Sequence, residues 1–126
     1  MKNILYTIIL SFLFSSPAYG EWTKVAGNLD VTAYVDFDKI RKHNGSVYFW
    51  DLYDYSKPSP NGMMSTKRYI EGDCIKFRLK ILSDRYYKEP MGLGEVSGAS
   101  NIPAKDWYYP PSGSVAESKM KSVCNQ

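Results

Sequence analysis

The sequence predicts an α+β domain: a mostly antiparallel β-sheet of about five to six strands, with a C-terminal α-helix packed on one face and disulfide-linked to it. Segments with the two-residue alternation of β-strands fill most of the chain, whereas helical periodicity is clearest in the last segment. Two cysteines lie far apart in the sequence, the second of them in that last segment. Strands followed by one terminal helix are typical of an antiparallel sheet covered on one side.

The first 20 residues have the features of a cleaved signal peptide. A short basic start, Met1–Asn3, precedes an apolar run over residues 4–14, and small residues follow at Ala18 and Gly20. A membrane-spanning helix needs roughly 20 apolar residues, so an uncleaved anchor is the less favoured alternative. We therefore expect cleavage after Gly20 and export of residues 21–126 as a single domain.

The charge balance and the cysteine positions indicate which partner class and which localisation to expect. The full chain has 16 Lys and Arg against 13 Asp and Glu, and the predicted signal peptide contains only one of these residues, Lys2. So small a positive charge argues against nucleic acid as the main partner. No cysteine follows the predicted cleavage site. We therefore expect a periplasmic or secreted protein that is not lipid-anchored and has no stable membrane insertion.

The first half of the exported chain predicts three strands, a helical turn and a hairpin. Residues 21–25 and 31–35 are the two short strands, with apolar residues at alternate positions. The polar stretch 36–41 favours a helical turn, and the Asn-Gly pair at 44–45 is a strong hairpin signal. Residues 46–55 contain five aromatic side chains and are apolar on both faces, which indicates a central strand.

The second half predicts two further strands and a long connection. Residues 64–72 form the first strand, after a loop at 56–62. Residues 73–83 form the second strand and alternate most strictly between apolar and basic side chains. The apolar face consists of Ile75, Phe77, Leu79 and Ile81, and the basic face of Lys76, Arg78 and Lys80. Glycines at positions 92 and 94 indicate a turn or bulge. Prolines and glycines predict an irregular segment over residues 98–111.

The last segment predicts a short amphipathic helix. Ser114 and Glu117 have the spacing of a capping box. Four residues form one apolar stripe: Ala116, Met120, Val123 and Cys124.

The two cysteines, Cys74 and Cys124, allow a single intramolecular pairing. Export places them in an oxidising compartment, and a bridge closing a loop of about 50 residues stabilises the fold by about 4 kcal/mol in the chain-entropy model. A redox-active pair is the alternative, although such pairs usually have the Cys-x-x-Cys spacing. Strict alternation places Cys74 on the basic face of its strand, so a bond to a helix on the apolar face requires a bend at Gly72-Asp73.

A basic stripe is the first candidate binding surface. Lys76, Arg78 and Lys80 share one face of their predicted strand, and Lys67 lies across the hairpin from them. Such a stripe suits an acidic partner or a polyanion. The alternative is a solvated face that discourages pairing between sheet edges.

Aromatic residues form the second candidate surface. The chain has 11 Tyr and three Trp. We expect Trp22 and Trp50 in the core, whereas Trp107 and Tyr108 fall in the predicted irregular segment. Exposed Tyr and Trp are favoured at interfaces, and the alternative is that these rings close the ends of a small core.

The chain has no recognisable catalytic, metal or cofactor motif. His43, the only histidine, lies beside the predicted hairpin turn, and no cysteine or histidine spacing is typical of zinc. The two glycines at 92 and 94 lack the surroundings of a dinucleotide-binding motif. We therefore expect a protein that is not an enzyme and needs no cofactor, with a hydrolase of dispersed catalytic residues as an alternative.

A set of spaced residues resembles the bacterial surface-adhesin protein E family across the exported chain. The set comprises Trp22, Val25, Tyr34, Val35, Asp36, Ile40, Val47, Trp50, Ser65, Lys67, Asp73, Cys74, Tyr86 or Tyr87, Met91, Gly92, Gly94, Trp107 and Cys124. The resemblance implies an antiparallel sheet, a C-terminal helix and a Cys74–Cys124 bridge between them. The namesake binds host extracellular-matrix and serum proteins and is a lipoprotein, whereas this chain lacks a cysteine for lipidation.

These features together favour an exported, non-enzymatic binding protein. We expect it to be adhesin-like and to recognise a protein partner at the cell envelope or outside it. The alternative is a small periplasmic inhibitor or accessory factor of an envelope enzyme.

Overall fold

The computed structural model describes residues 21–126, and the predicted signal peptide, residues 1–20, lies outside them. The described chain forms one antiparallel sheet, two 3₁₀ turns and one α-helix. In order, the elements are β1 (Thr23–Gly27), β2 (Val31–Val35), a 3₁₀ turn (Phe37–Lys39), β3 (Arg41–His43), β4 (Ser46–Tyr55), β5 (Ser65–Asp73), β6 (Arg78–Tyr87), a 3₁₀ turn (Pro90–Gly92), β7 (Val96–Ser100) and α1 (Val115–Cys124).

The sheet has the spatial order β1-β2-β4-β5-β6-β7, and β3 also pairs with β4. Because β2 occupies the second half of β4 and β3 the first half, both lie along the same edge of that strand. The predicted fold class is confirmed. The described residues form seven strands, whereas the sequence predicts five to six. The sequence does not reveal β3, which has only three residues, or β7, which is interrupted by glycine, because neither shows a clear alternation.

Local signals in the sequence predict the two turns on either side of β3, the first 3₁₀ turn and the hairpin turn to β4. Asp36 accepts a hydrogen bond from the Asp38 backbone N–H and caps the first 3₁₀ turn, which confirms the predicted helical turn. Asn44 and Gly45 have φ values of 49° and 81° between β3 and β4. Successive residues with positive φ form the tight turns that suit a hairpin, so this prediction is also confirmed.

The prediction of a single strand over residues 73–83 is wrong. β5 continues to Asp73, the next four residues form a turn, and only then does β6 begin. The Asp73 carboxylate accepts hydrogen bonds from the backbone N–H groups of Ile75 and Lys76 and from Nε of Arg78, which stabilises the turn. Ile75 is therefore 80% exposed instead of buried, and Lys76 belongs to the turn instead of the basic face.

This turn also sets the position of the disulfide. The predicted bend at Gly72-Asp73 lies one residue further along, since both residues still pair with β6. Cys74 is the first residue of the turn and bonds to Cys124 at the end of α1, with the two Cα atoms 5.6 Å apart. The bridge therefore joins the sheet to the end of the helix, as expected.

The hydrophobic core lies between α1 and one side of the sheet, which we call the helix face. Its buried members come from four strands and the helix: Val35, Val47, Phe49, Ile70, Leu79, Met120 and Val123. Gly72 allows the close approach of α1, because a Cβ at that position would lie 3.2 Å from the Met120 sulfur. The predicted apolar stripe of the helix is confirmed.

The helix begins at a cap that differs slightly from a standard capping box. The Ser114 hydroxyl accepts a hydrogen bond from the Glu117 backbone N–H at 3.1 Å. The Glu117 carboxylate accepts from the backbone N–H of Gly113, one residue earlier than predicted. The first turn of the helix is thus held from both sides.

The connection from β7 to α1 follows the outer edge of β6. Ala104 donates its backbone N–H to the carbonyl of Ile81, and Tyr108 exchanges two backbone hydrogen bonds with Leu79. The segment is irregular from residue 101, as predicted, but residues 98–100 of the predicted irregular segment belong to β7, and the connection extends the sheet beyond the end of that strand. No helix within residues 21–126 is long and apolar enough to cross a membrane.

Candidate functional site

The side of the sheet opposite to α1, which we call the open face, has a row of aromatic rings at its centre. Because Val47 and Phe49 point into the core, alternation along β4 directs Tyr48 and Trp50 to the open face. Tyr69 of β5 lies between them, with ring centroids 6.5 Å from Tyr48 and 5.1 Å from Trp50. All three rings remain half-buried and form one aromatic surface.

The two tryptophans that we predicted in the core are both half-buried instead. Trp50 lies on the open face because both faces of β4 are apolar, and only one of them receives the helix. Trp22 precedes β1 and covers the Lys67 ammonium, whose nitrogen is 5.8 Å from the Trp22 ring centroid. The high aromatic content of β4 therefore supplies the open face as well as the core.

Basic side chains lie against the aromatic rings of the open face. The guanidinium carbon of Arg85 is 5.1 Å from the Trp50 ring centroid. Trp107 has two such neighbours: the guanidinium carbon of Arg78 at 4.1 Å and the ammonium nitrogen of Lys80 at 4.6 Å. Cations at these distances are attracted by the ring quadrupole, which favours positions of the positive charges close to the rings.

Arg85 was not predicted on this face because the predicted strand ended at residue 83, whereas β6 continues to Tyr87 and contains a β-bulge that changes its alternation. Ile70 pairs with Ile81, but Tyr69, the residue before Ile70 in β5, pairs with Ser83. Leu82 is therefore an extra residue in β6. Beyond this bulge the faces are exchanged. Arg85 therefore reaches the open face together with Lys80, although the two are an odd number of residues apart.

The structure places the residues of the predicted binding surface in three different surroundings. Arg78, Lys80 and Trp107 are brought together on the open face. Lys76 lies apart from them in the exposed turn after β5. Tyr108 points to the helix face, where it lines a cavity with Lys119.

Lys67 has a distinct position at one end of the open face. Its ammonium nitrogen is 5.1 Å from the Tyr87 ring centroid, in addition to its contact with Trp22. Burial lowers the pKa of Lys67, and the positive charges of Arg85 and Lys39 lower it further. These three basic residues give this part of the surface a positive potential.

A recess of about 440 Å³ opens where the first 3₁₀ turn meets the aromatic row. Its half-buried lining residues Trp50 and Tyr69 are called its floor, and its exposed lining residues Lys39 and Arg41 are called its rim. Arg41 reaches this side because it pairs with Tyr48 in the register of β3 with β4. Nothing in the alternation of the sequence reveals the recess, since it depends on how a three-residue turn lies over two distant strands.

The helix face contains a buried cluster of charged groups. The Asp51 carboxylate accepts two hydrogen bonds from Arg68, at 2.8 and 3.2 Å, and one from the Lys119 ammonium at 2.7 Å. Lys119 also donates to the Tyr53 hydroxyl at 3.2 Å. This cluster was not predicted, because Asp51 and Lys119 appear in the sequence as polar residues within otherwise apolar or amphipathic segments.

Electrostatics favour the ionised forms of Asp51 and Arg68 in this buried cluster. Burial alone would raise the pKa of Asp51, but the adjacent Lys119 and Arg68 charges lower it below its ordinary value. Burial would lower the pKa of Arg68, and Asp51 raises it above its ordinary value. The charges thus stabilise one another where an isolated ion would be costly.

A second cavity, of about 290 Å³, adjoins this cluster between α1 and the connection from β7. Its lining includes Ile81, Ala104 and Tyr108 together with the cations Arg68 and Lys119. Both cations already donate to Asp51, so the cluster has a structural role in holding α1 on the sheet.

The single histidine lines neither the recess nor the cavity beside Asp51. His43 is exposed at the end of β3, and its Nε2 is 3.1 Å from the Asn44 side-chain nitrogen. Within residues 21–126, no group of three or more His, Cys, Asp or Glu side chains is arranged to hold a metal ion. The expected absence of catalysis, metal and cofactor remains a prediction.

Comparison with known proteins gives one family match over nearly all of the described chain. The model of a family described as surface-adhesin protein E matches residues 22–125. No curated protein matches the chain.

Solved structures of Haemophilus influenzae protein E have a similar fold. Crystal form II superposes with a TM-score of 0.64 at 18% identity, covering 88% of this chain and 91% of that one. A second structure of the same protein has a TM-score of 0.62 at 18% identity, with 88% of each chain covered. The protein from a non-typeable strain gives a TM-score of 0.59 at 18% identity and covers 88% of this chain and 79% of that one. At this identity the similarity shows the fold alone.

Proposed function

Because this chain belongs to the surface-adhesin protein E family, we propose that it is an exported, non-enzymatic, adhesin-like protein that recognises a protein partner through the open face. The observation that supports this proposal is the set of cations held against aromatic rings on the side that α1 leaves uncovered. Family membership favours a partner of the host or the extracellular surroundings.

The composition of the open face suits a protein interface. Tyr, Trp and Arg are the residues that most often dominate binding energy. Here the guanidinium groups of Arg78 and Arg85 already lie over tryptophan rings in the unbound protein. Less side-chain freedom is then lost on binding, which reduces the entropic cost of association.

The charge of the open face defines the kind of partner surface. Lys39, Arg41, Lys67, Lys80 and Arg85 lie on or around it, and burial with like-charge repulsion already lowers the pKa of one of them, Lys67. An acidic partner surface would relieve that repulsion and accelerate association at low ionic strength. We therefore propose a partner that presents negative charge.

Binding of the purified exported domain to immobilised extracellular-matrix and serum proteins tests this proposal. The informative variant is Lys80→Glu/Arg85→Glu, which reverses two charges on the open face. The matched control is Lys57→Glu/Lys88→Glu, which makes the same change in net charge at two exposed loop positions. Surface plasmon resonance at two salt concentrations gives the affinity and the contribution of charge.

We expect at least one immobilised protein to bind the wild type and the control, and to bind the open-face variant at least about tenfold more weakly. Equal binding by all three forms would contradict the use of the open face. Recovery of an envelope enzyme instead, from an envelope extract, would favour the alternative of a periplasmic inhibitor or accessory factor.

We also propose that residues 1–20 direct export and are removed after Gly20, leaving a periplasmic or secreted protein. Mass spectrometry of the exported protein tests this point. Glu21 is the expected N-terminal residue, and retention of the first 20 residues would contradict cleavage.

A further inference from the structure

The recess beside the first 3₁₀ turn combines three kinds of chemistry in a small space. Trp50 and Tyr69 supply an aromatic floor, with ring centroids 5.1 Å apart and planes tilted by 43°. Lys39 and Arg41 supply positive charge at the rim, and Asp38 supplies one carboxylate. The volume of about 440 Å³ falls in the range of sites that hold small ligands.

The charged groups of the recess are largely free to meet a ligand. Arg41 is exposed, and it belongs to none of the ion pairs within residues 21–126. Lys39 has a side chain that is 65% exposed and only a long contact of 3.9 Å to Asp36. Asp38 donates its backbone N–H to Asp36, and it is an exposed residue of the recess lining.

We propose that this recess binds an acidic sugar unit, a pyranose that carries one carboxylate, as part of the partner recognised by the open face. Arg41 and Lys39 pair with the carboxylate. The C–H side of the pyranose ring packs on Trp50 and Tyr69, whose ring faces carry partial negative charge. The Asp38 carboxylate accepts hydrogen bonds from sugar hydroxyls.

The mixed charge of the recess favours an acidic sugar over an acidic peptide. A run of Asp or Glu would bring several carboxylates towards Asp38 in the recess and towards Glu71, which lies beside Tyr48 on the same face. Like charges placed close together oppose binding. A uronic-type sugar brings a single negative charge together with hydroxyl donors that an Asp carboxylate accepts.

A matched pair of sugars tests the inference directly. Methyl glucuronide and methyl glucoside differ only at C6, which is a carboxylate in the glucuronide and a hydroxymethyl group in the glucoside. Titration of each into the isotopically labelled exported domain, followed through the Trp50 indole N–H resonance, reports binding at the floor of the recess. A short poly-glutamate peptide is titrated in the same way as the competing ligand class.

Neighbouring residues of β3 provide the variant and its control. Arg41→Ala removes the rim cation, whereas Lys42→Ala removes an equally exposed cation that alternates to the other face and contacts the Gln126 carbonyl. Lys39→Ala is the second test variant. Neither recess cation belongs to the core, so thermal unfolding of these variants should match the wild type.

We expect saturable shifts with methyl glucuronide and at least about tenfold weaker binding of methyl glucoside. Arg41→Ala should lose about tenfold in glucuronide affinity, and Lys42→Ala should retain it. Equal affinity for both sugars, no shift with either, or binding of poly-glutamate alone would overturn the inference.

The inference rests on the proposed function of the open face, but the two can fail separately. Binding to immobilised matrix proteins that is lost in Lys80→Glu/Arg85→Glu and retained in Arg41→Ala would keep the proposed function and reject the sugar site. Binding of methyl glucuronide in the recess, without binding to any matrix protein, would keep the sugar site and reject the proposed function.

Discussion

The Lys119 ammonium lies 2.7 Å from Oδ2 of Asp51, and their side chains are 1% and 0% exposed, respectively. This contact joins α1 to the central strand β4 from inside the protein, at a distance of 68 residues in the sequence. The disulfide joins the end of the same helix to the turn after β5. The helix is therefore held by one buried ionic contact and one covalent bond in addition to its apolar stripe.

Replacement of the two members of this contact should have unequal effects on stability. Asp51→Asn leaves Arg68 and Lys119 buried without their carboxylate, and should lower the free energy of unfolding by about 3–5 kcal/mol. Lys119→Met leaves the Asp51–Arg68 pair intact and should cost less, about 2 kcal/mol, from the hydrogen bonds lost by Asp51 and Tyr53. Urea denaturation measures both values. A larger loss for Lys119→Met would contradict the role of Asp51 as the centre of the cluster.

Stability should also decrease in acid because of Asp51. Although burial raises its pKa, Lys119 and Arg68 lower it below the ordinary value. A carboxylate with a depressed pKa in the folded state stabilises the fold fully above its unfolded pKa of about 4. That contribution is lost as the pH falls through the lower folded-state pKa. NMR titration of the Asp51 carboxyl carbon should show this pKa below about 4, and a value at or above it would contradict the assignment.

The close approach of α1 to the sheet at Gly72 gives a further prediction. A Cβ at this position would lie 3.0 Å from Val47 and 3.2 Å from Met120. Gly72→Ala should therefore cost about 1–3 kcal/mol by overpacking. Gly98→Ala is the matched control, because its Cβ would meet only Tyr86 at 3.6 Å. Thermal unfolding of the two variants should separate them, and equal midpoints would show that the helix shifts without cost.

Removal of the disulfide should destabilise the domain without changing the open face. Cys74→Ser/Cys124→Ser opens a loop of 50 residues, and the loss is about 4 kcal/mol in the chain-entropy model. Urea denaturation of the variant and of the reduced wild type should give the same decrease. The Trp50 indole N–H resonance of the native variant should remain that of the wild type, because this ring lies on the side of the sheet away from the bridge. A decrease below about 1 kcal/mol would contradict a structural role for the bridge.

Much of the sheet follows from local patterns in the sequence. The residues of β2 and β4 were predicted to the residue, and the Asn-Gly turn and the cap of α1 at Ser114 have recognisable chemistry. The helix stripe and the disulfide also follow from the sequence, since an apolar stripe must be buried and two cysteines allow only one intramolecular pairing. These features depend on neighbours in the sequence or on a unique pairing.

The errors arise where contacts distant in sequence decide the structure. Apolar residues from 75 to 81 suggested one strand, but hydrogen bonds of Asp73 form a turn within it. The bulge in β6 then exchanges the faces, so Arg85 could not be assigned to the open face by alternation. The recess near Arg41 and the buried Asp51–Lys119 contact likewise depend on how separate segments pack together.

The open face is the proposed binding surface, and footprinting of the bound protein tests this claim without any substitution. Hydroxyl-radical labelling is measured on the exported domain, alone and in complex with whichever immobilised matrix or serum protein gives the highest affinity in the surface plasmon resonance test. Trp50, Tyr69 and Trp107 should be protected in the complex, whereas Tyr108 on the helix face should be labelled equally in both states. Protection of Tyr108 with unchanged labelling of Trp50 and Trp107 would contradict the claim.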